Sequence, residues 1–210
     1  MASLKAAPSP SVRERVGVRV NVRELPLSGA LALRLDQRNA AAIESAGRVF
    51  GAALPGPNTW LACETAQVLS QAYDEWLILT ANGRQDALAD SLRHALADAH
   101  FAITDVSDLR TGFEVHGEHA RDLLQKGTAV DLHPRVFGAG ACTTTALARV
   151  RVTIRATEAQ AYELLVERSY AAYLWDWLTD ASARRSNVTP RTRHSFSTVG
   201  LNSTRKLPPR

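Results

Sequence analysis

The sequence is poor in cysteine and has no long apolar run, and each of these absences argues against a class of protein. Its 210 residues include only two cysteines, Cys63 and Cys142, which are far apart and form no C-x-x-C pair. This favours two buried, reduced thiols over a disulfide framework or a structural zinc site. A membrane helix needs about 18 to 20 consecutive apolar residues, and a signal peptide needs an apolar centre. Neither is visible, so we expect a cytoplasmic protein with no membrane partner.

Standard catalytic signatures are also missing. The chain contains no G-x-G-x-x-G, no G-x-x-x-x-G-K-[ST], no H-E-x-x-H and no G-x-S-x-G, which are the motifs of dinucleotide binding, phosphate binding, zinc hydrolysis and serine hydrolysis. The six histidines are scattered, and the closest pair, His116 and His119, has no obvious third ligand. We therefore expect no catalytic, cofactor-binding or metal-binding residue in this chain.

Acidic residues are missing from one end of the chain, and this explains its formal net charge of +4. Seven of the 25 basic residues follow position 183, where no Asp or Glu occurs, so 18 basic residues face 21 acidic ones in residues 1–183. The body therefore carries a formal charge of −3. A basic tail of this kind could attract nucleic acid through its charge. Because the body is mildly acidic and shows no basic face with interspersed aromatic residues, we expect no nucleic-acid partner.

The composition that remains is that of a globular α+β protein. Hydrophobic residues make up 45% of the chain and charged residues 22%, which are ordinary values for one folded domain. We expect a flexible N-terminus at 1–12, a single domain at 13–183 and a disordered basic tail at 184–210. The apolar period alternates between two and about 3.6, which indicates a mainly antiparallel sheet with packed helices.

The periodicity also predicts the individual elements. Predicted strands cover 16–23, 31–35, 59–63, 75–80, 101–106, 111–116, 146–155 and 162–166, and predicted helices cover 40–50, 86–99, 118–125 and 170–181. In the strand at 146–155, Val150, Val152 and Ile154 would face the core. Arg149 and Arg151 would then lie on an opposite face that contacts water or a partner.

Several short segments, spread over most of the folded region, resemble the sarcosine oxidase gamma subunit family. They are Asp74–Leu77, Asp105–Ser107, Gly117 with Ala120–Leu124, Lys126–Gly127, Asp131–Pro134, Gly138–Gly140, Thr144–Arg149 and Glu167–Leu178. The likeness extends from about Val16 to Ala183. There is also a more distant resemblance to the folate-binding domain of the glycine-cleavage aminomethyltransferases, which implies a fold of that kind. It is carried by the motifs D-x-S, G-x-x-A-x-x-L-L and the D-L that follows them.

The resemblance implies a function as an accessory subunit. Sarcosine oxidase converts sarcosine to glycine with oxygen, releases hydrogen peroxide and passes a one-carbon unit to tetrahydrofolate. In that family FAD, FMN, NAD and tetrahydrofolate belong to other subunits, and the gamma chain assembles with alpha, beta and delta subunits. The alternative is a stand-alone folate-binding one-carbon protein similar to the aminomethyltransferases, but those enzymes are considerably longer and add a barrel domain that helps to close the folate site.

Asp131 is the strongest candidate for chemistry carried over from the wider resemblance. In the folate-binding members, the matching Asp lies near the pterin, where a carboxylate can assist proton transfer. The other interpretation is a turn residue, since Pro134 follows closely and a short polar side chain satisfies backbone donors at a bend. We favour the turn, and we expect Asp105 and Ser107 to have the same role between two strands.

Other polar and aromatic residues permit both a binding and a structural interpretation. Trp175 and Trp177 could stack on a flavin or pterin, but on an apolar closing helix we favour core or interface packing. The stripe of Arg149, Arg151 and Arg155 could bind the carboxylates of polyglutamylated folate, and we favour a solvated or subunit-facing strand face.

One further pair lies in the segment that carries the family resemblance. Asp108 and Arg110 follow the turn formed by Asp105 and Ser107, and we expect them to form a solvent-facing ion pair of little energetic value.

Overall fold

Two antiparallel sheets form the centre of the fold in the computed structural model, which describes residues 13–17, 20–26 and 28–183. The predictions for segments 1–12 and 184–210 lie outside the described residues. With strands numbered in chain order, the first sheet has the spatial order β1 (Glu14–Val16), β2 (Asn21–Glu24), β8 (Arg110–His116), β11 (Ala161–Glu167), β10 (Val150–Glu158), β9 (Cys142–Leu147). The second has the order β4 (Trp60–Ala62), β5 (Ala66–Ala72), β6 (Glu75–Thr80), β3 (Gly29–Leu35), β7 (Phe101–Asp105).

The helices cover the outer faces of the two sheets. Helices α1 (Ala40–Phe50) and α2 (Gln85–Ala95) pack on the second sheet, whereas α3 (Ala120–Leu124) and α4 (Ala171–Ala183) pack on the first. A short 3-10 turn at Arg168–Tyr170 leads into α4. The layers therefore follow the order helix, sheet, sheet, helix. This arrangement buries an apolar face of each helix and each sheet.

Sequence features at its two ends define α1. The side chain of Asn39 accepts a hydrogen bond from the backbone N–H of Ala42 at 3.1 Å, which caps the first turn. Gly51 then adopts φ 67° and ends the helix, in a left-handed conformation that glycine reaches without a Cβ clash. The predicted helix at 40–50 is confirmed.

Strand alternation divides the apolar residues between three clusters. On β3, Leu31 and Leu33 face α1 and α2, while Ala30 faces the other sheet. On the first sheet, Phe113 faces α3 and α4, and Leu165 points back toward the second sheet. Each sheet therefore has one face against helices and one against the other sheet.

The predicted single strand at 146–155 is wrong. The segment forms a hairpin of β9 and β10 in which Leu147 pairs with Val150. Ala148 adopts φ 58° at the turn, a conformation that is uncommon for a residue with a Cβ. Because alanine is not a characteristic residue for this conformation, the sequence carries little signal for the turn.

Two other parts of the sheets differ from the predictions. The strand β5 was not predicted, although it lies between β4 and β6 in the second sheet. The predicted continuous strand at 16–23 is interrupted, since β1 pairs antiparallel with β2 and the N–H of Gly17 bonds the carbonyl of Val20 at 3.1 Å.

The predicted fold class is confirmed: the chain is α+β, and every pairing between named strands is antiparallel. The helices predicted at 86–99 and 118–125 are shorter, because α2 ends at Ala95 and α3 spans Ala120–Leu124. Among the described residues, no helix has the length and apolar character needed to cross a membrane.

Candidate functional site

The space between the two sheets contains a layer of polar side chains instead of a fully apolar core. The first sheet contributes Arg110, Thr153 and Arg155, and the second contributes Gln67 and Gln71. Polar groups buried in this way are costly unless they find hydrogen-bond partners. The partners found here define the candidate site.

Arg155 is the most deeply buried charged residue of this layer. Its side chain is 2% exposed, and it forms an ion pair with Glu163 on the neighbouring strand β11. The Nε atom donates to Glu163 Oε2 at 3.0 Å, and Nη2 donates to Gln67 Oε1 at 2.7 Å as well as to Glu163. The ring of Trp60 covers one face of the guanidinium, with 4.5 Å between its centroid and Cζ. This side chain is therefore fixed on three sides.

The predicted arginine stripe is wrong for Arg155. Arg149 and Arg151 are exposed as predicted, but Arg155 lies on a strand segment that is buried on both faces. Residues 152 to 156 are all buried, because the second sheet covers the face that we expected to contact water or a partner.

Gln71 connects the two sheets through two threonine hydroxyls. Thr153 and Thr144 each donate to Gln71 Oε1, at 3.1 and 3.3 Å, and the two hydroxyl oxygens lie 2.9 Å apart. The Nε2 atom of Gln71 is buried without a partner among the described residues. The network is therefore only partly satisfied by protein atoms.

An inter-sheet cavity of about 460 Å³ lies next to Arg155. Its lining residues are Leu25, Pro26, Ser28, Ala30, Ala62, Cys63, Glu64, Thr65, Ala66, Gln67, Leu79, Thr80, Ala81, Ser107, Arg110, Thr111, Gly112, Arg155, Glu163 and Leu165. A second cavity of about 350 Å³ is lined by Gln71, Arg151, Glu167 and neighbouring residues. Arg110 contributes to both cavities.

The predicted ion pair between Asp108 and Arg110 is wrong. Asp108 lies in an exposed turn and pairs with Arg168 at 3.6 Å, whereas strand alternation on β8 directs Arg110 between the sheets. Its Nε atom is buried without a partner among the described residues. Burial lowers the pKa of Arg110 from its usual value, while the more distant Glu75 carboxylate acts in the opposite direction.

The two cysteines differ in how deeply they are buried. Cys142 is fully buried, and loss of hydration raises the pKa of its thiol to about 11. Cys63 is partly exposed at the inter-sheet cavity, and burial raises its pKa as well. Both are free thiols, as predicted, but only Cys142 is buried as we expected. Both are poor nucleophiles near neutral pH because little thiolate is present.

Asp131 occupies the predicted turn. Its Oδ1 atom accepts a hydrogen bond from the backbone N–H of His133 at 2.9 Å, and the residue is exposed. Asp105 likewise accepts from the N–H of Ser107 at 2.9 Å, and the Ser107 hydroxyl accepts from the N–H of Ala30 at 2.8 Å. The turn interpretation is confirmed for Asp131 and Asp105, whereas the Ser107 hydroxyl connects the turn to strand β3.

The residues considered as possible folate ligands, although we favoured structural roles for them, do not form a common site. Asp131 lines neither cavity, whereas Arg151 lines the second one. Trp175 and Trp177 pack against the core of the first sheet. The ring centroids of Trp175 and Phe113 are 6.0 Å apart, in agreement with the packing role that we favoured.

The two histidines considered as a metal pair have separate partners. The ring of His116 lies 3.0 Å from the side-chain nitrogen of Asn21, and His119 lies 3.0 Å from the carboxylate of Asp122. Among the described residues, no group of three potential ligands could hold a metal ion.

The sequence analysis missed three site residues for two reasons. Gln67 and Gln71 belong to the unpredicted strand β5, and Glu163 was not assigned a partner. A useful signal exists in the hairpin between β10 and β11, where Arg155 pairs with Glu163 across the turn. Opposite charges at directly paired positions indicate a cross-strand ion pair.

The sequence is similar to known gamma subunits over most of its length. The model of the family "Sarcosine oxidase, gamma subunit family" matches residues 34–184. The chain is 32% identical over 162 residues to sarcosine oxidase subunit gamma of Corynebacterium sp. (strain P-1), covering 77% of this chain and 74% of the relative. It is also 32% identical over 169 residues to the protein of that name from strain U-96, covering 80% and 81%.

Solved structures agree with this assignment. The heterotetrameric sarcosine oxidase from Corynebacterium sp. U-96, in complex with pyrrole 2-carboxylate, matches with a TM-score of 0.75 and 29% identity, over 84% of this chain and 90% of the other. Aminomethyltransferase T of the Bartonella henselae glycine cleavage system matches at 0.56 and 11% identity, over 76% and 45%, which shows a shared fold alone. On its sequence and its structure, the chain belongs to the sarcosine oxidase gamma subunit family.

Proposed function

We propose that this chain is the accessory gamma subunit of a heterotetrameric sarcosine oxidase. The complex demethylates sarcosine to glycine, produces hydrogen peroxide and transfers the one-carbon unit to tetrahydrofolate. In this proposal, residues 13–183 form the domain that assembles with alpha, beta and delta subunits in the cytoplasm. FAD, FMN, NAD and tetrahydrofolate are bound by those other subunits.

The match to the heterotetrameric enzyme carries the proposal. It covers 90% of the matched chain at a TM-score of 0.75, so the likeness extends over nearly that whole chain. A chain that shares the fold of the matched subunit over this length is suited to the same position in such an assembly.

The proposal assigns no catalytic residue to this chain. Asp131 is the residue for which the likeness to aminomethyltransferases most favours a catalytic role. Its Oδ1 atom already accepts a backbone hydrogen bond. It lies exposed in a turn and lines neither cavity, which is the position of a residue that stabilises the backbone. We therefore assign it a structural role.

The surface offers apolar side chains that a partner subunit could cover. Leu109 is 50% exposed, Tyr170 is 47% exposed and Tyr173 is 41% exposed. Leu109 lies near the start of α4, because its carbonyl accepts a hydrogen bond from the N–H of Arg168 at 2.9 Å. Exposed apolar residues that lie near one another are typical of protein interfaces, which supports a role in assembly.

The isolated chain provides a direct test of the division of labour. We expect the purified protein to be colourless, inactive with sarcosine and prone to self-association, because an interface would be left exposed. Titration with a reduced folate, followed by tryptophan fluorescence, should give no saturable change. A yellow monomer that oxidises sarcosine unaided contradicts the proposal, and tight folate binding by the isolated chain favours the stand-alone one-carbon protein.

A further inference from the structure

The inter-sheet cavity has the size and lining of a small-molecule site. Its volume of about 460 Å³ lies within the range of ligand pockets, roughly 300 to 1,000 Å³. Leu79 and Leu165 form apolar parts of the cavity lining, and Arg110 and Arg155 form polar parts of it. An apolar lining with a few fixed polar groups is the usual composition of such pockets.

The cavity opens to solvent at the turn between β4 and β5. Ala62, Glu64 and Thr65 line it and are exposed. A ligand could therefore enter without separating the two sheets.

Arg155 places an unsatisfied, buried hydrogen-bond donor beside the cavity. Glu163, Gln67 and the ring of Trp60 hold the guanidinium in place, yet its Nη1 atom is buried without a partner among the described residues. A buried donor without an acceptor is costly. Arg155 lines the inter-sheet cavity, and because water does not reach Nη1 in this structure, the guanidinium has to turn slightly toward the cavity to meet an acceptor there.

Arg110 adds a positive charge that no carboxylate neutralises at close range. Its side chain forms no ion pair with the described residues, and its Nε atom is a second buried donor without a partner. The charges of Arg155 and Glu163 balance each other, and Glu64 is exposed at the entrance, where water screens it. Glu75 and Glu167 favour the charged form of Arg110 from a greater distance. The interior of the cavity is therefore suited to one negative charge.

We propose that the inter-sheet cavity binds a small organic monocarboxylate. The carboxylate accepts hydrogen bonds from Arg155 Nη1 and from the Arg110 guanidinium, and the apolar part of the ligand packs against Leu79 and Leu165. Guanidinium groups are suited to this role because their N–H donors match carboxylate oxygens and strengthen the bond through charge. The site is independent of the proposed role as an accessory subunit.

Cys63 provides a local reporter, because it lines the cavity and is partly exposed. The rate of its alkylation by N-ethylmaleimide can be followed by mass spectrometry on the peptide that contains it, in the full chain or in the assembled complex. Benzoate is the probe and benzamide is its neutral control of similar shape. Cys142 serves as an internal reference for folding, because it is fully buried.

We expect benzoate to slow the alkylation of Cys63 saturably, by about tenfold when its concentration reaches about ten times Kd, and benzamide to have little effect. Arg110→Gln should fold normally, because Arg110 has no side-chain partner to lose, and it should weaken the protection by benzoate by about tenfold or more. Arg155→Lys should weaken the protection as well.

Three results would overturn the proposal. If benzoate leaves the rate at Cys63 unchanged up to about 50 mM, a concentration that corresponds to negligible affinity, the cavity holds only water. If benzamide protects as well as benzoate, or if Arg110→Gln folds and retains full protection, the arginines do not recognise a carboxylate. None of these results bears on whether the chain assembles with other subunits.

Discussion

The buried ion pair between Arg155 and Glu163 gives the most demanding test of the structure. The side chains are 2% and 17% exposed, so removal of either partner leaves a charge with little access to water. Removal of one member of a buried pair typically costs about 3 to 5 kcal/mol. We expect Arg155→Met to cost about 3 kcal/mol, at the low end, because Glu163 keeps some contact with solvent.

The double-mutant cycle separates the pair from its surroundings. Glu163→Gln keeps an acceptor for Arg155 but leaves its charge uncompensated, and we expect a cost of about 2 kcal/mol. The double variant Arg155→Met with Glu163→Gln buries neither charge, so its cost should fall to about 2 kcal/mol, below that of Arg155→Met alone. The two single costs would add to about 5 kcal/mol, which gives a coupling of about 3 kcal/mol.

Urea unfolding of the full chain measures these free energies, and tryptophan fluorescence follows the transition with Trp60 next to the altered side chain. Arg34→Met is the matched control, because Arg34 pairs with Glu75 on the surface and is 63% exposed. It should change the free energy of unfolding far less, since water screens this pair. If the costs at Arg155 and Glu163 add to within about 0.5 kcal/mol, the two side chains do not form a buried pair.

Substitutions at two further sites, Gly127 and Asp131, test other contacts by urea unfolding. A Cβ on Gly127 would lie 2.7 Å from ring carbons of Trp177, so Gly127→Ala should cost about 1 to 3 kcal/mol, whereas Gly56→Ala has open space and should not. Equal effects at both glycines would argue against this packing. Asp131→Asn should be mild and Asp131→Ala should cost about 1 kcal/mol through the lost turn bond, with turnover of the complex unchanged. If the Asp131→Asn complex assembles but its production of methylenetetrahydrofolate falls about a hundredfold, the carboxylate is instead a general acid or base.

The sequence predicts elements well where one face is apolar and the ends are marked. Helix α1 is bounded by Asn39 and Gly51, a side-chain cap and a left-handed glycine, and its predicted limits agree with the structure. Strand β6 is a short apolar run, and it was predicted with its observed limits. In both segments the local signal and the tertiary packing favour the same structure.

The candidate site could not be predicted because its position depends on contacts between the sheets. Gln67 and Gln71 lie on β5, whose mixture of small and polar residues carries little strand signal. We expected Arg155 on the solvent-exposed face of the predicted strand at 146–155, because an arginine in an alternating strand usually contacts water. Nothing local to that strand shows that a second sheet covers it.

The central claim is that this chain is a stable part of a larger oxidase, and co-purification tests it most directly. A tagged copy of the full chain, isolated from its native host, should recover two larger chains that carry flavin and one small chain. The isolated complex should oxidise sarcosine and release hydrogen peroxide. Recovery of the tagged chain alone, folded and monomeric, under conditions in which sarcosine oxidase activity remains in the unbound fraction, would contradict the account.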